Sequence, residues 1–143
     1  MIGATGSLTV SLTIAHALPI NGKIQLTVPQ WNPNGAAVTH HFGTPVCTGV
    51  TGLSGALTCT YDTTTKILEV TNPSAQTAGT VLSFSATTFL NPYNAIPKTG
   101  FSITTYNSLA CAIETKTGLT VTTTTMATLS SAAITRTDSV SAI

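Results

Sequence analysis

Between Ser7 and Ile14 polar and apolar residues alternate without a break. Leu8, Val10, Leu12 and Ile14 fall on one side, and Ser7, Thr9, Ser11 and Thr13 on the other. A period of two belongs to a β-strand with one buried face, whereas an amphipathic helix repeats every 3.6 residues. The same alternation recurs downstream and helical periodicity does not, so the chain is predicted to be all-β. After a turn at Pro19-Ile20-Asn21-Gly22, Lys23–Val28 turns Ile24, Leu26 and Val28 inward. Ala56–Tyr61 reads as one strand, and Asp62-Thr63-Thr64-Thr65 turns into Lys66–Thr71. Gly79–Phe89 follows with Leu82, Phe84 and Ala86 in phase, then Thr99–Tyr106 with Phe101 and Ile103 inward. Ala110–Thr115, a turn at Lys116-Thr117-Gly118, and Leu119–Thr128 complete the series, with loops at Gln30–Pro45 and Leu90–Lys98. Eight or nine short strands separated by turn residues predict a β-sandwich. Strand spacing does not separate immunoglobulin-like from jelly-roll topology. The Cys–Trp–Cys order of antibody domains is absent, because Trp31 precedes every cysteine.

The last segment, Leu129–Ile143, also reads as a strand, with Ala132, Ile134, Arg136, Asp138 and Val140 on one face. Ser131, Ala133, Thr135 and Thr137 lie on the other. No local partner follows it, and an unpaired strand is a liability unless another chain takes it. Read tail to head, ITRTDSVSAI followed by IGATGSLTVSLT makes a smoother β-domain opening than either end alone. The expected organisation is therefore a β-sandwich domain over 1–128 and a donor strand over 129–143, with Ile134 and Val140 as anchors in an acceptor groove.

Charged residues make up 6% of the 143, against about 25% in an ordinary soluble domain. With a net charge of +1, copies hardly repel one another. Threonine and serine supply 43 residues, which suits solvent-facing positions on a sheet. Runs at Thr63, Thr64, Thr65 and at Thr122, Thr123, Thr124 are candidate O-glycosylation sites, which would compensate for the missing charge in a secreted glycoprotein. Asn72-Pro73-Ser74 carries proline at the position that forbids N-glycosylation. The lack of a basic patch argues against nucleic acid, and no run approaches 18 apolar residues, so no membrane span is expected. The N-terminus lacks a signal peptide's charged and apolar regions, so a secreted form would be a mature chain or a fragment.

Cys47, Cys59 and Cys111 fit no metal spacing. A Cys47–Cys59 disulfide would close the Gly-rich excursion TGVTGLSGALT and leave Cys111 a buried free thiol. Alternatively Cys111 takes one partner, or all three are small buried thiols; any disulfide implies an oxidising compartment. Four carboxylates, Asp62, Glu69, Glu114 and Asp138, leave few ways to build an acid–base pair. His40 and His41 are adjacent in the long loop, where extended neighbours point opposite ways and do not easily share a metal. His16 has no carboxylate near it in sequence. Neither a nucleophile elbow nor a phosphate-binding loop occurs, so no catalytic residue, metal or cofactor is expected. Trp31 with Phe42 could form a sugar-stacking platform, although Trp31 as a cap on the core is the plainer reading.

Three segments resemble a known family. GSLTVSLTIAHALPINGKIQLTVPQW, TAGTVLSFSATTFLNPYNAIPKTGFSITTY and the tail SAAITRTDSVSAI are similar to tandem immunoglobulin-like repeats of large protist surface proteins. In that family one repeat runs into the next. The chain also resembles protomers of extracellular fibrils in which an immunoglobulin-like domain is completed by its neighbour's strand. The resemblance implies an immunoglobulin-like β-sandwich whose C-terminal strand is donated to the neighbouring copy. It implies a structural protomer of an extracellular filament or cell-surface coat, whose partners are copies of itself joined head to tail. Covalent continuity between repeats would serve as well. The alternative expectation is a monomeric adhesive or carbohydrate-binding module using the Gln30–Pro45 loop and Trp31. A third is an enzyme centred on His40 or His41.

Overall fold

The computed structural model of the chain describes residues 5–30, 41–90 and 98–121. Among these residues nine strands follow one another: β1 (Thr5–Thr13), β2 (Lys23–Thr27), β3 (Cys47–Thr51), β4 (Gly55–Leu57), β5 (Cys59–Asp62), β6 (Ile67–Thr71), β7 (Val81–Leu90), β8 (Lys98–Tyr106) and β9 (Ala112–Val121). They form two sheets, ordered β1-β7-β3-β4 and β5-β6-β2-β8-β9, in which every pairing is antiparallel. The alternating residues supply the inward rows. Leu8 and Val10 of β1 and Leu82, Phe84 and Ala86 of β7 meet Ile24 and Leu26 of β2, Leu68 and Val70 of β6, and Phe101 and Ile103 of β8 in one core. The fold is an all-β sandwich.

The two sheets are joined along one side. The chain leaves β4, an edge of the four-stranded sheet, and after Thr58 alone enters β5, an edge of the other. Beside this crossover Cys47 on β3 is disulfide-bonded to Cys59 on β5, with Cα atoms 6.0 Å apart. The segment expected as one strand over Ala56–Tyr61 is therefore two strands in different sheets. Alternation continues through the switch at Thr58, so periodicity alone does not reveal it.

Two further expectations change. The TGVTGLSGALT excursion is the β3–β4 hairpin, folded so that Leu53 re-enters the core at 2% exposure. Gly49 permits this fold-back, because a Cβ there would lie 2.4 Å from the Leu53 carbonyl carbon. Lys116-Thr117-Gly118 is no turn: β9 runs through it, and register shifts against β8 take up the extra residues, with Gly118 at φ +70. Continuous pairing to β8 outweighs a local turn signal of three residues. On β7 a bulge at Thr87–Thr88 lies opposite a register shift on β1, and Thr88 has φ +58, unusual for a β-branched residue. It lets Ala86 and Phe89, three apart, both face inward, and Phe89 packs on Phe42 at 5.1 Å.

Asn72 holds one end of the sandwich together. Its buried amide donates to the Pro19 carbonyl at 3.0 Å, and its backbone N–H donates to the Gly22 carbonyl at 2.8 Å. Its own carbonyl accepts from Asn21 N–H at 2.9 Å. The sequon that proline disables thus serves as an internal clamp on the Pro19–Gly22 turn. Asn72→Ala removes the amide donor from the Pro19 carbonyl, which keeps the Gly22 N–H, and is expected to cost about 0.5–1.5 kcal/mol in urea denaturation. The disulfide closes a sequence separation of 12, so the Cys47→Ala, Cys59→Ala double variant is expected to lose about 3 kcal/mol by the same measurement. A loss below ~1 kcal/mol would show that the crossover alone holds that side closed.

Candidate functional site

Among the described residues four strands face five. The β4 and β5 edges are tied by the crossover and the disulfide, so the surplus strand lies on the opposite side, where β9 reaches past β1. The hydroxyls of Thr104 and Thr115 meet at 3.0 Å on the solvent face of the β8–β9 pair. Their neighbours therefore face the other way: Glu114 beside Thr105, Lys116 beside Ile103 and Leu119 beside Phe101. Among the described residues no strand lies over this inward row of β9. Beside it runs the outer edge of β1, whose only strand partner among the described residues is β7.

The space between them is a seam made of two adjoining cavities that share Ser11, Ile103 and Leu119. The larger, about 390 Å³, is lined by Leu12, Ala15, Thr105, Glu114 and Lys116 among others. The smaller, about 180 Å³, has an apolar floor of Leu8, Val10, Leu26 and Phe101. Glu114 thus sits at the Ala15 end of β1 and Leu119 at the Leu8 end, so β1 and β9 run in opposite directions along the seam. At the Ala15 end Glu114 Oε2 accepts the Ala15 N–H at 3.0 Å and lies 3.7 Å from His16 Nδ1. Among the described residues the other oxygen, Oε1, is buried without a hydrogen-bond partner, as is the hydroxyl of Thr105, a residue 2% exposed. Buried polar atoms of this kind are uncommon and ask for a donor. An open strand edge, an apolar floor and a few polar anchors are the groups that hold an added, extended strand.

The other expected residues are scattered. Thr63, Thr64 and Thr65 are exposed in the β5–β6 turn, where Asp62 Oδ1 accepts the Thr64 and Thr65 amides at 2.7 and 3.2 Å. Cys111 is free but exposed, not buried, because it sits in the turn that Asn107 organises between β8 and β9. His41 is buried and accepts the Leu90 amide through its carbonyl. Phe42 is 1% exposed and packed on Tyr61 and Phe89, so it offers no surface for sugar stacking. Trp31, His40, Thr122, Thr123, Thr124, Ala132, Ile134, Arg136, Asp138 and Val140 lie outside the described residues. Glu114, Lys116 and Leu119 escaped sequence reasoning because a turn placed at Lys116 hides their common face; Glu114 and His16 are 98 positions apart. Among the described residues no three His, Cys, Asp or Glu side chains converge, and no helix is long and apolar enough to cross a membrane. No protein-family model, curated protein or solved structure matches the chain.

Away from the seam, Glu69 on β6 accepts from Lys23 Nζ at 2.6 Å and Gln25 Nε2 at 2.8 Å. Burial alone would raise its pKa, but the Lys23 ammonium and the Gln25 amide outweigh it and hold the carboxyl below the ordinary 4.5. The Thr64 and Thr65 amides likewise lower Asp62. Both groups bind protons more weakly folded than unfolded, so their stabilisation is present above the ordinary carboxylate range and is lost as pH falls through the lower folded values. The denaturation midpoint is therefore expected to drop on acidification below about pH 4.5, and Glu69→Gln to flatten that slope. An unchanged slope in Glu69→Gln would assign the acid sensitivity elsewhere.

Proposed function

We propose that the chain is a structural protomer of an extracellular filament or cell-surface coat, an immunoglobulin-like sandwich that polymerises head to tail. Each copy gives its C-terminal strand, 129–143, to the next. The observation that carries this reading is the unequal pair of sheets: a fifth strand beside β1 would cover the inward row of β9 and pair the open edge. Strand addition supplies backbone hydrogen bonds for affinity and side-chain pockets for register. Alternation in the tail provides a matching face with Ile134 and Val140 as its large apolar members.

Two other features agree with an exported structural role. The disulfide between the sheets is the chemistry of an oxidising compartment. Exposed Thr63, Thr64 and Thr65 stand clear of the core on a tight turn, where O-linked glycans would solubilise a surface poor in charge. Donor and acceptor surfaces differ, so the contact is heterologous and grows into an open filament unless its rotation closes a ring.

Removal of 129–143 is expected to abolish polymers and leave a folded monomer with an exposed seam. Sedimentation velocity and negative-stain microscopy of the two proteins check this. A truncated chain that assembles as the full one does would overturn the reading.

A further inference from the structure

In the whole chain, opposite charges stand two residues apart in only two places: Glu114 with Lys116, and Arg136 with Asp138. The first pair lines the seam and the second is in the proposed donor strand. We infer that the donor strand of a second copy enters antiparallel to β1 in a single register, with Arg136 over Glu114, Asp138 over Lys116 and Val140 over Leu119. This rests on the strand-donation reading and adds its direction and register.

The geometry is in phase. Strand rows advance about 6.6–6.8 Å every two residues. The inward positions of β9 keep that step despite the bulge, because Glu114, Lys116 and Leu119 lie beside Thr105, Ile103 and Phe101, which are two apart on β8. A strand antiparallel to β1 runs parallel to β9, so Arg136, Asp138 and Val140 meet an acid, a base and an apolar residue in order. Arg136 would bring donors to Glu114 Oε1, the carboxylate oxygen that has no partner among the described residues. Val140 would fall on the apolar floor of Leu8, Val10 and Phe101.

Other placements fail on charge. A shift by two residues in one direction sets Asp138 against Glu114, and in the other sets Arg136 against Lys116. With the strand reversed, no placement satisfies both pairs, and aligning the two pairs sets like charge on like. Like charges brought together across a contact are strongly disfavoured, so charge selects direction as well as register. Direction also favours a second copy. A strand returning from β9 by a short turn would run antiparallel to β9, the reversed orientation.

Charge exchange in the full-length chain tests this, with assembly read by light scattering and sedimentation. Asp138→Lys and Lys116→Glu alone are each expected to weaken assembly about tenfold or more. Combined in one chain, they should restore it to within about threefold. Arg136→Glu with Glu114→Arg repeats the test at the other position, and circular dichroism of each variant confirms folding, since Glu114 also holds Ala15. Single variants that assemble like the parent, while loss of 129–143 still abolishes polymers, would overturn the register and leave strand donation standing. A full-length chain that stays monomeric until 129–143 is removed would mean that the strand fills its own seam, and would overturn the second copy as occupant.

Discussion

The Cys47–Cys59 bond, with the one-residue crossover at Thr58, decides where the sandwich is open. The crossover joins the β4 edge of one sheet to the β5 edge of the other, and the disulfide pins β3, the neighbour of β4, to that same β5 edge. With those edges aligned, the difference between four and five strands appears wholly on the far side. The seam, and among the described residues the uncovered row of β9 and the free edge of β1, all follow from that closure. Were the sheets free to slide by one strand, β5 rather than β9 would overhang, and a different set of side chains would be uncovered.

An uncovered row at the margin of a core is usually a hazard. Natural edges are blunted by charges that point inward, since burying them against a random partner leaves them desolvated and unpaired. Glu114 and Lys116 do this on β9. Glu114 also clips the seam at one end by holding the Ala15 amide, which fixes the end of β1. The same two residues that protect the edge against arbitrary pairing leave one specific pairing open, a strand bearing the opposite charges in the same phase.

Much of the fold is legible in the alternation. β1, β2, β6, β7 and β8 fall where period-two runs predict them, and the inward residues named for them are buried except Leu12, which is half-buried against the core. Elements set by tertiary pairing are less legible. Thr58 changes sheets without breaking alternation, β3 is hidden in a glycine-rich segment, and β9 overrides a turn signal because β8 pairs along its whole length. The seam was the least legible feature, because it depends on which edges face each other. Local pattern carries the faces of strands, but sheet order arises from contacts between residues far apart in sequence, such as Ala15 with Glu114.

Scarcity gives the charges of this chain unusual weight. Lys23 and Glu69 are spent on one another, and Asp62 on its own turn. Of the remaining six, Glu114, Lys116, Arg136 and Asp138 form the two matched pairs. Apolar anchors alone would not fix a contact of this type. Ile134 and Val140 would be accepted by an apolar seam in several positions, each two residues from the next, and in either direction. Charges act differently: entering the seam costs desolvation in every register, and only the matched one offsets it. In a head-to-tail filament every junction repeats the same choice, so a slip at one joint would change the length and twist of the whole. In the proposed assembly, a connector with apolar ends and a charged centre would therefore separate the two tasks, with burial supplying affinity and the central pairs supplying a single repeat.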